Sequence, residues 1–256
     1  MKLSVVPKPN TLRRKLFISM CVLALLLCAL FFAGLSLIGS FTGTKSRISE
    51  ELAFQTKHFE RQIETYYDNL AVMSVQLSQT TSQLMEAYLS THELTLEDVN
   101  TSKEHIACLQ ELLIDPLRQK LWEADCTGAF VMLEAQVNAD VENADTSRTG
   151  IYLGRNSLER SDTRVLLYRG LAEVGKAHGC MPHRKWRLEF DTSLFPTYDT
   201  LKAEAAFPLD ESYRLTDVIL LPGTDQHVML MTVPLLSQDG AYMGLCGFEL
   251  NEGYFK

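Results

Sequence analysis

VMLMTVPLL (Val228–Leu236), SQDG (Ser237–Gly240) and AYMGLCGFEL (Ala241–Leu250) read as two apolar strands joined by a tight turn. Large and β-branched side chains fill both runs. Asp239-Gly240 supplies the turn position that needs positive φ, so the segment predicts an antiparallel hairpin. Working back along the chain, AFVMLEAQV (Ala129–Val137) and Gly150–Leu153 predict further strands, with a polar loop from Asn138 to Ser147 between them. VLLYRGLAEVGKA (Val165–Ala177) reads as a short helix closed by His178-Gly179. Thr95 as an N-cap with Asp98 three positions on opens a helix. Ile106, Leu109, Leu112, Leu113, Leu117 and Leu121 then follow at helical spacing to about Trp122, before a turn at Asp125–Gly128. Helices first and strands after them predict an α+β domain, an antiparallel sheet flanked by helices.

Upstream of this domain, Leu16 to Thr44 is a run without any charged residue, and Leu16–Ile38 is its most apolar part. At ~1.5 Å per residue that part reaches roughly 35 Å, more than the ~30 Å hydrocarbon core, so a transmembrane helix over 16–39 is expected. A cleaved signal peptide is the competing reading, but its apolar region covers only about 7 to 15 residues. Lys2, Lys8, Arg13, Arg14 and Lys15 precede the run with no acidic residue among them, which places residues 1–15 in the cytoplasm and the rest outside the cell membrane. Gly39 and Gly43 form a small-xxx-small pair near its outer end.

Phe59, Ile63, Tyr66, Leu70, Met73, Leu77 and Leu84 then recur at heptad spacing, and no Gly or Pro interrupts positions 44 to 115. A long stalk helix over 45–91 follows. It pairs with a second protomer as a homodimer, or it packs along its own domain. The polar triplet Thr80, Thr81 and Ser82 marks where one mode would hand over to the other. Residues 92–256 then form the outer domain.

Five of the 24 basic residues lie in that N-terminal tail, which leaves 19 against 32 acidic residues in the remainder of the chain. So acidic a body cannot neutralise many phosphates, and nucleic-acid binding is excluded. No P-loop, GxGxxG, HExxH, GxSxG or CxxC occurs, so an enzyme of those classes is not expected. His178, Cys180 and His183 fall within six residues without an evident fourth ligand, so neither a metal nor a cofactor is expected. Four cysteines lie beyond the apolar run. Cys108 and Cys246 sit in apolar stretches as buried thiols, and at most one disulfide is anticipated.

The closing TVPLLSQDGAYMGLCGFEL, with GAFVMLEAQVN, RTGIYLGRNS, LYRG and HRKWRLEFD before it, resembles the Cache domain, the PAS-like extracellular sensor module of bacterial membrane-bound signalling proteins, in its Firmicute form. The resemblance covers nearly all of residues 45 to 256. It implies a single-pass sensor that binds a small polar ligand such as an amino acid or a carboxylate. In amino-acid-binding members an arginine and an aromatic hold the ligand carboxylate and a later aspartate takes its ammonium group. Arg184 and Trp186 have that R-x-W spacing, and Asp217 falls where the aspartate would. Arg187 departs from the pattern, which has an aromatic at its place. Tyr152, Tyr168 and Tyr198 are candidate pocket walls. The plainer reading of Arg184 and Trp186 is an arginine stacked on a tryptophan at the core edge, and of Asp217 an ordinary strand-end residue.

Such receptors continue into a second span and a kinase, cyclase or DNA-binding output. The expectation here is therefore the sensor part of a longer or disrupted product, or a protein that signals through a membrane partner. The alternative function is a membrane-anchored structural or protein-interaction module without a small ligand.

Overall fold

The computed structural model describes residues 12–37, 40–140, 142–157, 159, 161–195, 197–221 and 226–251. The chain divides into two compact units, Met1–Glu64 and Thr65–Lys256. In the first, α1 (Leu12–Leu37) contains a 22-residue stretch, Arg14–Leu35, that is long and apolar enough to cross a membrane. α2 (Ser40–Thr91) begins in this unit, where Ile48, Leu52 and Phe59 are all more than half exposed. Most of the N-terminal basic tail and Gly39 of the small-residue pair lie outside the described residues.

The second unit takes in α2 from Thr65 onward. It continues with α3 (Leu96–Val99), α4 (Lys103–Glu123), β1 (Gly128–Leu133), β2 (Ser147–Arg148), β3 (Gly150–Arg155), β4 (Val165–Arg169), α5 (Ala172–Ala177), β5 (Met181–Arg187) and β6 (Phe190–Asp191). After these come α6 (Tyr198–Ala203), β7 (Arg214–Leu215), β8 (Ile219–Leu220), β9 (His227–Leu236) and β10 (Tyr242–Asn251). The sheet runs β5-β4-β3-β1-β10-β9-β7, with β8 also pairing β9 and a separate β2-β6 ladder. Every pairing is antiparallel except β4 with β5. The chain is thus α+β, in the order the Cache resemblance implies: an apolar helix, a long helix and an antiparallel-rich sheet.

The terminal hairpin forms as its sequence predicts. Leu236 pairs with Tyr242, Ser237 N–H donates to the Ala241 carbonyl at 2.9 Å, and Gly240 takes φ +81°. The uninterrupted apolar runs are explained by burial on both faces of the sheet, since successive side chains of a strand point to opposite sides. Val131, Leu133, Ile151, Leu153, Cys246 and Phe248 pack with Leu70, Leu77 and Met85 of α2 and Ile106, Leu109 and Leu113 of α4. On the other face Phe130, Met132, Tyr152, Tyr168, Leu230 and Leu245 meet Phe190, Phe195, Tyr198 and Leu201.

Four expectations change. VLLYR is the strand β4, because it finds partners on both sides, β3 and β5, and only the segment after Leu171 turns helical. Buried Gln110 secures that junction: its amide donates to Thr149 Oγ1 and the Gly150 carbonyl, and its oxygen accepts from Leu171 N–H at 2.8 Å. The helix that Thr95 opens with a Thr95–Asp98 capping box ends after one turn at Asn100, and a new N-cap at Ser102 starts α4.

Thr81 and Ser82 are buried, so the polar triplet does not mark the end of a seam. Packing within the unit is already established at Leu70, and the small hydroxyl side chains let α2 approach the hairpin, where Ser78 Oγ donates to the Pro234 carbonyl at 2.6 Å. Finally, Cys108 is exposed, because the core face of α4 is formed by Ile106, Leu109 and Leu113 instead. Cys246 is buried as expected, and all four outer cysteines are thiols.

Candidate functional site

At one end of the sheet β1, β3, β4 and β10 bring four residues together, since Gly128 pairs with both Glu249 and Gly154, and Gly154 lies against Tyr168. Glycine is needed at both strand positions for want of space. A Cβ on Gly154 would stand 2.5 Å from the Tyr168 ring, and one on Gly128 would stand 2.9 Å from Glu249 Oε2. The strand alternation that sends Phe248 to the helical side sends Glu249 to the aromatic side, where it is only 4% exposed.

Glu249 is held by hydroxyls. Thr127 Oγ1 lies 2.8 Å from Oε1, and the Tyr152 hydroxyl donates to Oε2. Thr127 Oγ1 in turn accepts from Asn251 N–H at 3.1 Å. No ion pair neutralises this carboxylate among the described residues. Burial pushes its pKa up, and the two hydroxyl partners only partly offset that. Its negative charge acts on its neighbours: the Tyr168 phenol is pushed up to about 12, first by burial and then by Glu249, with Arg184 pulling the other way.

These residues border a cleft of 170 Å³ lined by Thr127, Gly154, Arg155, Asn156, Tyr168 and Glu249, among others. His183 stacks on the Tyr168 ring, with centroids 4.4 Å apart. The Arg155 side chain is 2% exposed, lies 4.7 Å over the Trp122 ring and pairs with Asp125 at 3.1 Å. Its Nε is buried without a hydrogen-bond partner among the described residues.

The folded-state pKa of Glu249 lies above its ordinary value, so the stability gained from the neutral carboxyl is complete below that ordinary value and is lost as pH rises through the folded one. Replacing Glu249 by Gln keeps the shape and removes the titration. The expected result is a melting temperature that exceeds wild type by a margin that widens from acid to neutral pH; a margin independent of pH would show that Glu249 does not titrate as argued.

The residues expected to form the site are scattered. Tyr152 and Tyr198 share the aromatic cluster, but the Tyr198 hydroxyl is engaged by Glu134 at 2.5 Å, in a network that also receives Lys202 and Arg148. Trp186 packs with the cluster on the opposite, helical face and donates its indole N–H to the Gly170 carbonyl at 2.9 Å. Arg184 is exposed on β5, and Asp217 is exposed between β7 and β8. The structure therefore does not gather Arg184, Trp186 and Asp217 around one ligand position. Of the residues weighed as metal ligands, His178 bonds Glu111 and Asp115 at 2.6 and 3.1 Å, while His183 belongs to the tyrosine stack. The sequence reading missed Glu249, although a single acidic residue inside the apolar run GLCGFEL was a visible signal.

No family model and no curated protein matches the chain. Among solved structures it is similar to the periplasmic sensory domain of the Campylobacter jejuni chemoreceptor Tlp1, with a TM-score of 0.47 and 10% identity over 77% of this chain and 58% of that one. It is also similar to the sensory domain of C. jejuni Tlp3 with isoleucine bound, at TM-score 0.32 and 13% identity over 73% of this chain and 62% of that one. A third is the ligand-binding domain of the Pseudomonas aeruginosa PAO1 amino acid chemoreceptor PctC in complex with GABA, at TM-score 0.29 and 11% identity over 72% of this chain and 63% of that one. The chain spans less than two thirds of the length of each of these three.

Proposed function

We propose that the chain is a membrane-anchored sensor whose Cache-like domain lies outside the cell and binds a small polar ligand, with the N-terminus in the cytoplasm and no catalytic role for the domain. The observation that carries this reading is the Glu249 cleft: polar, bordered by the Tyr168 ring that stacks on His183, and built on glycines that make room for its side chains. A site made this way suits a ligand better than a packing defect, because buried polar groups are otherwise matched within the fold.

A route for the signal leads from the same strand. β10 carries Glu249, and its hairpin is bonded to α2 through Ser78 to the Pro234 carbonyl and through Gln238 N–H to Glu86 at 2.6 Å. A ligand that favours one position of β10 thereby biases α2, the element that leads back in sequence to the apolar helix. The exposed Ile48, Leu52 and Phe59 supply a seam on which two copies pair.

The test is a thermal-shift screen of the full chain in lipid nanodiscs against amino acids, small carboxylates, amines and nucleobases. A ligand at about a hundred times its dissociation constant adds ~2.7 kcal/mol, a rise of roughly 5 to 10 °C for a domain of this size. The rise should be lost in Tyr168→Leu and kept in Arg184→Ala. A flat screen, or a rise that Tyr168→Leu leaves intact, would overturn the assignment. A second reading, a protein-contact module, is favoured by one feature, an apolar groove of 380 Å³ along Ala71, Val72 and Val75 of α2 beside Asp210 and Tyr213.

A further inference from the structure

We infer that the Glu249 cleft takes a small ligand carrying a cationic nitrogen group, an ammonium or amidinium, seated on the Glu249 carboxyl. The inference rests on the sensor reading and narrows its ligand. Its basis is a buried carboxyl that no ion pair balances among the described residues. A carboxylate has about four lone-pair positions, and the hydroxyls of Thr127 and Tyr152 use two of them. The arginines nearby are engaged elsewhere: Arg155 with Asp125 and the Trp122 ring, Arg169 with the Tyr168 carbonyl at 2.7 Å. The other groups around the carboxyl are the Tyr152 and Tyr168 phenols and the Cys126 thiol, all of which its charge makes harder to ionise.

The carboxyl and the aromatic ring of the cleft favour a cation over the alternatives. An anion would face the Glu249 carboxyl and the Tyr168 phenol, and Arg155, whose Nε is buried at the cleft and unpartnered among the described residues, already has its charge matched by Asp125. An apolar group would bury Glu249 further without a partner, which costs more than leaving it half wet. The Tyr168 ring borders the cleft, and an aromatic face attracts a cation. At ~30 Å³ per water-sized group, a cavity of 170 Å³ holds about six non-hydrogen atoms.

Seating a cation there has a proton cost that can be measured. Burial favours the neutral carboxyl, so a cation that pairs with the ionised form displaces its proton and the complex tightens as pH rises. Three probes of nearly equal size separate the charge classes: ethanolamine as the cation, ethylene glycol as the neutral diol and glycolate as the anion. With the full chain in nanodiscs at matched millimolar concentrations, ethanolamine alone should raise the melting temperature. That rise should grow as pH is raised through the range in which Glu249 ionises in the folded protein, below the range in which amines lose their proton, and Glu249→Gln should abolish it.

If Glu249→Gln does not fold, titration calorimetry of the wild type in two buffers of different ionisation enthalpy decides the matter. Proton release on ethanolamine binding that is largest at acid pH and falls as pH rises supports the inference, and release at no pH overturns it. A rise with glycolate or ethylene glycol but not ethanolamine overturns the cation assignment while the sensor reading stands. So does a flat response to all three probes when a compound from the broad screen still acts at the cleft. A flat response to every compound overturns both.

Discussion

Gly244→Ala is expected to cost about 3–5 kcal/mol, the sum of a strained backbone and an overpacked sheet, and to lower the melting temperature of the full chain by roughly 10 °C or more. Gly244 lies in β10, between β1 and β9, at the register shift that follows Tyr242. Its φ of +143° is one that side chains rarely adopt, and a Cβ there would stand 2.1 Å from the Met132 carbonyl oxygen and 3.0 Å from Leu133 Cα. Both obstacles are backbone of the central strand, which cannot swing aside as the tip of a side chain can. Relief requires β1 and β10 to separate, and the Gly128–Glu249 pairing at the other end of the same ladder would loosen with them. A loss of ligand response alongside the loss of stability is therefore expected. A melting temperature within about 2 °C of wild type, less than 1 kcal/mol by the same conversion, would show that the ladder adapts and that the close approach is not needed.

The second large effect separates two residues that look alike in the heptad pattern. Leu77 is 1% exposed, packed between α2 and the sheet, so Leu77→Ala should cost about 2–5 kcal/mol through lost burial and the cavity left behind. Phe59 stands 55% exposed on the same helix, and Phe59→Ala should change stability by no more than about 0.5 kcal/mol. If Phe59 belongs to a seam between two copies, its replacement should instead reduce self-association, read by sedimentation of the solubilised full chain. Denaturant midpoints for the two variants measure the first claim. Equal losses of stability would mean that the heptad pattern serves one purpose along its whole length.

The tyrosines show how far sequence reading reaches. Tyr152, Tyr168 and Tyr198, candidate pocket walls by residue type and neighbourhood, all lie in one aromatic cluster. The polar partners were harder to see. Trp186 on β5 and Tyr152 on β3 stand on either side of β4 and pack on opposite faces of the sheet, and the β4–β5 pairing between them carries a register shift at Leu167 to Arg169. No local pattern in HRKWRLEF reports a shift imposed by a neighbouring strand. Glu249 was overlooked because its significance lies in Thr127 and Tyr152, 122 and 97 residues away in the chain.

The apolar helix, the capping box at Thr95 and the terminal hairpin with its turn at Gly240 were determined by the sequence alone. Each rests on contacts within a few residues, where length, side-chain period and turn chemistry suffice. Tertiary structure decided the rest. VLLYR became a strand because partners on both sides satisfied its backbone, and the hydroxyl-bearing stretch of α2 was buried because the hairpin offered Ser78 a carbonyl. The acidic residue of GFEL became the centre of a cleft because two glycines on other strands left room for it. Burial and pairing across long sequence separations set those outcomes, since the free energy of a polar group depends on which partner the fold places beside it.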